Sequence, residues 1–194
     1  MDGLKPRFYA GIKWGIDNPT VMLAAEYIPA TDHLHVFREL YERGYYFDDL
    51  LPIAKEWAAE MNVRKFFCDP KEPEFIKRMR RQRLYAVAAP EELALARNLL
   101  GKRVISTNSI AVELRREHDV ATRERMQRGV QGGISFSRDC PQTVQEMFRY
   151  RMPDRDSRKP YRDKPLDVDN YGISALHFLV LGMAHEVTPR VRWL

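Results

Sequence analysis

The chain carries two cysteines in 194 residues, Cys68 and Cys140. That is too few for a disulfide framework, so both read as buried thiols of a protein from a reducing compartment. Neither lies in a metal-finger spacing. Long apolar runs are missing too: the longest, ISALHFLVLGMA (173–184), is too short to span a bilayer and contains His177. No apolar stretch precedes a cleavage site in MDGLKPRFYAG, which argues against a secretory signal. The phosphate-cradling pattern G-x-x-x-x-G-K-[ST] occurs nowhere, which excludes a P-loop ATPase within these residues. Repeats and linker-like stretches are absent as well, so residues 1–194 read as a single soluble domain without membrane association.

What is present is a mild positive charge, unevenly placed. The 32 basic and 27 acidic side chains leave a formal charge of +5, and much of the excess lies in KRMRRQR (77–83) and LRREHDVATRERMQR (114–128). Such runs suit a phosphate backbone, because bound phosphates release counterions. They suit solvated helix faces equally well.

The pattern along the chain is α/β. RFYAGIKW (7–14), TVMLAAEYI (20–28) and HLHVFRELYE (33–42) read as three antiparallel strands, separated by an Asn18-Pro19 turn and a Pro29–Asp32 turn. In 47–62, apolar Leu50, Leu51, Ala54, Trp57, Ala58 and Met61 recur at helical spacing. VRKFFCDP (63–70) then reads as a buried strand ended by Asp-Pro, PEFIKRMRRQ (73–82) as a helix and LYAVAA (84–89) as a further strand. Helix then strand, twice, implies crossovers onto one sheet. Two helices are expected over 91–101 and 106–119, the second capped by Ser106, Thr107 or Ser109. A short strand at 134–136, a helix at 140–152, a charged loop at 153–165 and a last helix from about Asp169 to Ala184 complete the reading. Trp14, Phe66, Phe67, Phe148 and Phe178 read as core, Tyr45 and Tyr46 as exposed, and Glu146 as solvated.

Four segments carry a resemblance. YAGIKWGIDNPT (9–20) is similar to the first-strand motif of viral large-terminase nuclease domains, Gly-Ile-Asp-Trp-Gly followed by a proline turn. FFCDPKEPEFI (66–76) resembles their second motif, an acid at a strand end before a helix that opens with Pro and acidic residues. DCPQTVQEMFRYRM (139–152) resembles the stretch before their last helix, and VDNYGISALHFLV (168–180) their closing motif, Asn/Asp-His-x-x-Asp-Ala-x-Arg-Tyr. The resemblance implies a ribonuclease-H-like mixed sheet: three antiparallel N-terminal strands extended by parallel strands, with helices packed on both faces. It also implies a role on double-stranded DNA in bacteriophage genome packaging, in the cytoplasm of the infected host. The implied partners are a packaging ATPase, a portal or a small terminase subunit.

Such domains cut DNA with two divalent ions, Mg²⁺ or Mn²⁺, held by three converging carboxylates. Matched position by position, only Asp69 remains. The first-strand acid is Lys13, the helix acid is Ser174, the histidine one turn earlier is Tyr171, and the closing arginine is His177. An ammonium at Lys13 would lie where a metal charge belongs. It could tie two strands together through Asp69, contact phosphate, or retain a catalytic use. The expectation is a nuclease-type domain with cleavage weak or lost, needing Mg²⁺ or Mn²⁺ only if active. One alternative is an active endonuclease with displaced ligands, Asp69 with Asp17 or Asp167. Another is a docking scaffold without enzymatic activity. Asp17 also reads as a turn cap before Pro19 and Asp169 as a helix cap. Lys13, Arg149, Arg151, Arg155, Arg158 and Lys159 are the candidates for DNA phosphates.

Overall fold

The computed structural model describes residues 5–108, 113, 116–150 and 170–187. The antiparallel start is as expected: β1 (Arg7–Lys13), β2 (Thr20–Ile28) and β3 (His33–Glu42) pair in sequence order. Helix α1 (Phe47–Met61) leads to β4 (Lys65–Cys68), and α2 (Pro73–Arg81) to β5 (Ala86–Ala88). Both crossovers return parallel: β4 pairs with β1, and β5 with β4. Helices α3 (Leu93–Asn108) and α4 (Val120–Arg128) precede β6 (Ile134–Phe136), which adds parallel to β3. Helices α5 (Pro141–Arg149) and α6 (Tyr171–Val187) follow. Among the described residues the sheet has six strands in the order β5-β4-β1-β2-β3-β6. It is the mixed sheet that the resemblance implies.

Strand alternation sends successive side chains to opposite faces and so builds two cores. Tyr9, Val21, Leu23, Val36 and Phe67 pack beneath α3 and α6, with Leu100, Leu176 and Leu179. Ala10, Ile12, Met22 and Phe66 face α1 and α2, with Leu50, Trp57, Ile76 and Met79. Cys68 and Cys140 are buried free thiols. No helix of the described residues is long and apolar enough to cross a membrane.

Three expectations need correction. The segment 93–108 is one helix, so Ser106 and Thr107 are not caps of a second one. Thr107 Oγ1 donates to Ile134 O at 2.7 Å and accepts from the Ile134 amide at 2.9 Å, so a residue that looked like a break ties α3 to β6. Phe148 is 86% exposed rather than core, whereas Glu146, expected in solvent, is 6% exposed. The charged loop at 153–165 and Ser109 lie outside the described residues.

The placement of α6 rests on a residue without a side chain. A Cβ on Gly11, at the centre of β1, would lie 2.3 Å from the Ala175 carbonyl oxygen and 2.9 Å from Leu179 Cβ. Gly11→Ala should therefore force helix and strand apart, at a cost of about 1–3 kcal/mol. Gly101→Ala is the control: it lies within α3 with nothing inside 4 Å of its Cβ position. That change should stabilise by about 0.5–1 kcal/mol through helix propensity. Urea midpoints that fail to move in opposite directions would refute this account of the packing.

Candidate functional site

The carboxyl ends of β1 and β4 meet at the middle of the sheet. Ile12 pairs with Cys68, and one step further the Asp69 amide donates to Ile12 O at 2.8 Å, which carries the pairing on to Lys13 and Asp69. Lys13 Nζ donates to Asp69 Oδ2 at 2.7 Å and to the Trp14 carbonyl at 2.8 Å. Asp69 Oδ1 accepts from the Lys71 amide at 3.1 Å. The Trp14 indole N–H donates to the Asp69 carbonyl at 3.1 Å and locks the two strand ends together. Both carboxylate oxygens are therefore engaged. The Asp69 side chain is 2% exposed and that of Lys13 is 22%, so the pair is largely withdrawn from solvent. Removing one partner of such a pair strands the other charge.

Helix α6 begins near this edge. The Tyr171 hydroxyl donates to Asn18 Oδ1 at 2.8 Å and ties the helix start to the turn after β1. Ser174 Oγ donates to Asn170 O at 2.9 Å, so its hydroxyl is spent on its own helix. Asp17 is exposed on the turn at 16–18. Thr20 braces that turn, donating to Gly15 O at 2.7 Å and accepting from Gly15 N at 3.1 Å. Arg149 is exposed at the end of α5. Asp167, Asp169, Arg151, Arg155, Arg158 and Lys159 lie outside the described residues. The basic run in α2 is largely committed within the fold: Lys77 pairs with Glu74, Arg78 with Asp48, and Arg80 Nε donates to Ala86 O at 2.6 Å.

The acid that anchors α6 is Glu146, which the sequence pattern places in solvent. Its Oε1 accepts from the Tyr41 hydroxyl at 2.6 Å and its Oε2 from the Ile173 amide at 3.0 Å. A carboxylate at a helix N-terminus satisfies amides that have no partner within the helix. Burial pushes the Glu146 carboxyl above its ordinary range, against the lowering pull of Tyr41 and the α6 amides. Gly172 makes room: a Cβ there would stand 2.5 Å from Thr143 Oγ1 and 3.1 Å from Glu146 Oε2. Glu39 of β3 does the same for α5, accepting from the Gln142 and Thr143 amides at 3.0 and 2.7 Å. The helical spacing of Thr143 and Glu146 was the available hint.

Two dications need several hard oxygen donors around shared space. Among the described residues no group of three or more His, Cys, Asp or Glu side chains could hold a metal ion. The carboxylate on offer, Asp69, already faces an ammonium. Among the described residues, this donor set does not fit a two-metal centre.

Several solved structures share the architecture. A large terminase from a thermophilic bacteriophage superposes with a TM-score of 0.65 at 13% identity over 92% of this chain. This chain spans only 39% of that protein's length. The nuclease domain of the bacteriophage SPP1 large terminase, solved with bound Mn, gives a TM-score of 0.60 at 13% identity, covering 89% of this chain and 84% of its own. The P22 large terminase nuclease domain gives 0.56 at 8% identity, covering 93% and 83%. No family model matches the sequence, and neither does any curated protein. At these identities the likeness establishes the fold alone: the chain has a ribonuclease-H-like α/β fold. Its architecture is that of the nuclease domains of bacteriophage large terminases.

Proposed function

We propose that this chain is a single nuclease-type domain of the large-terminase kind, engaging double-stranded DNA in bacteriophage genome packaging with metal-dependent cleavage weak or lost. The observation that carries the reading is the Lys13 ammonium 2.7 Å from Asp69 Oδ2, at the strand ends where the resemblance calls for a metal. A fixed cation there neutralises Asp69 without acting as a Lewis acid, so no water is activated. The net charge of +5 supports attraction of a phosphate backbone. Lys13, at 22% exposure, and the exposed Arg149 are the described candidates for contact, together with Arg151, Arg155, Arg158 and Lys159. The working partners would be a packaging ATPase, the portal or a small terminase subunit in the infected cell.

The test is supercoiled plasmid with Mn²⁺, resolved on a gel, alongside filter binding at rising salt. Wild type and Asp69→Ala should leave the plasmid equally intact, and DNA retention should weaken steeply as salt rises. Mn²⁺-dependent nicking abolished by Asp69→Ala would instead establish an active nuclease with displaced ligands, Asp69 with Asp17 or Asp167. Neither binding nor nicking would leave the docking scaffold.

A further inference from the structure

A second feature lies on the sheet face that carries Met22 and Ala24, turned away from α6 and the Lys13–Asp69 pair. Between α4 and the strands β1, β2, β3 and β6 runs a groove of about 680 Å³. This is within the range that small-molecule sites occupy. Its walls combine aromatic rings with arginines: Phe8, Phe37, Arg123 and Arg138, with His35 and Ser135 on the floor.

The floor has a forced hydrogen-bond order. His33 Nδ1 lies 3.1 Å from the Val130 carbonyl, which can only accept, so Nδ1 carries the proton. The neutral ring then accepts at Nε2, and Ser135 Oγ, 2.9 Å away, must donate to it. With its one proton spent, Ser135 accepts from His35 Nδ1, also at 2.9 Å. His35 Nε2 is left as an acceptor without a protein partner among the described residues. Burial lowers both histidines, His35 to about 4, so the chain stays neutral near pH 7.

The walls hold unused donors. Arg123 donates through Nη2 to Glu117 O, but its Nε is buried without a partner among the described residues. Arg138 is exposed and has no ion pair among the described residues. The acids of the groove are mostly engaged: Glu26 faces Arg128 at 3.9 Å and Asp139 accepts from Ser137 Oγ at 3.0 Å, which leaves Glu124 at the rim. Phe37 stacks on His35 with ring centroids 6.3 Å apart and is only half-buried.

We propose that this groove binds a nucleotide unit, with its phosphate on Arg123 and Arg138, its base against Phe37, and an exocyclic amine donating to His35 Nε2. Arginine forks match phosphate oxygens, and aromatic faces accept any base. The acceptor on the floor adds selectivity, since the exocyclic amine of cytosine can donate to it where the thymine O4 carbonyl at the same position cannot. The unit could be a free mononucleotide or one nucleotide of a single strand, and the two are separable.

The probes are a fluorescent N-methylanthraniloyl-ADP and fluorescein-labelled dC12 and dT12, titrated by fluorescence and anisotropy. Arg138→Ala, at an exposed position, keeps the fold and should weaken binding about tenfold or more. Loss of the ADP probe points to a mononucleotide site; loss of the oligonucleotides alone points to a strand. If dC12 does not bind several-fold more tightly than dT12, the role of His35 is overturned. No binding by any probe, or binding unchanged in both Arg138→Ala and Arg123→Gln, overturns the site itself.

Discussion

Stability should fall steeply between pH 6.5 and pH 4, by about 3 kcal/mol for each of His35 and His177. Both side chains are buried, at 9% and 5% exposure, and burial is the main reason their pKa drops to about 4. Arg128 and His33 push His35 further down, and Arg97 does the same to His177. The sign follows from proton counts. Below pH 6.5 the unfolded chain protonates these rings while the folded one does not, so protons favour unfolding until the folded pKa is reached. His33 shifts the same way. Glu146 opposes it, because its raised carboxyl takes up a proton earlier in the folded state and returns some stability on acidification. Glu74 and Asp119, held low by Lys77 and Thr122, keep their contributions above the ordinary carboxylate range and lose them only from the acid end of this window downward. A combined loss of about 6 kcal/mol is comparable with the whole stability of an ordinary domain. His177 isolates the effect, since its Nε2 is buried without a partner among the described residues. His177→Leu should raise stability at pH 5 and remove about one proton from the pH dependence of the urea midpoint. An unchanged slope would show that His177 is not buried neutral.

The fold was legible wherever local chemistry and long-range packing agreed. Strands β1 and β2 are short apolar runs, β3 alternates in sequence, and the Asn18-Pro19 and Pro29–Asp32 turns leave little choice of connection. The meeting of Lys13 with Asp69 could be anticipated because β1 and β4 are neighbours in this topology and both residues end their strands. Legibility failed where a distant partner decided the outcome. Glu146 sits in a helix whose local pattern permits a solvated acid, and only Tyr41 and the start of α6 draw it inside. Phe148, two residues on, is consequently turned outward. Thr107 has the chemistry of a helix cap, yet its hydroxyl finds Ile134 across the chain and α3 runs through it. The groove floor was hidden for the same reason. His33 and His35 are just two alternating strand residues until Ser135, 100 residues or more away, comes between them.

Lys13→Asp should convert the strand ends from a neutralised pair into a cation site. Lys13 and Asp69 follow directly on the paired residues Ile12 and Cys68, so the substitution sets two carboxylates side by side on neighbouring strands. Without divalent ions the variant loses its ion pair and gains a like-charge contact within a largely buried setting. The expected cost is about 3 kcal/mol, the lower end for breaking a buried pair because Lys13 retains 22% exposure. Mn²⁺ should repay most of that. A ligand present at about a hundred times its dissociation constant stabilises by about 2.7 kcal/mol, which for a chain of this size is roughly 5–10 °C in Tm. Wild type, whose ammonium already pairs with Asp69, should move by less than about 1 °C under the same conditions. The control is Asp69→Asn in the Lys13→Asp background, which removes the second carboxylate and should erase the Mn²⁺ shift. An equal shift in wild type would mean that Lys13 does not exclude the metal. No shift in Lys13→Asp would mean that the carboxylates do not converge. If the shift appears without plasmid nicking, metal binding and cleavage separate: the two strand ends suffice to hold an ion, and the hydroxyl of Ser174, bonded back to Asn170, marks what the chemistry still lacks.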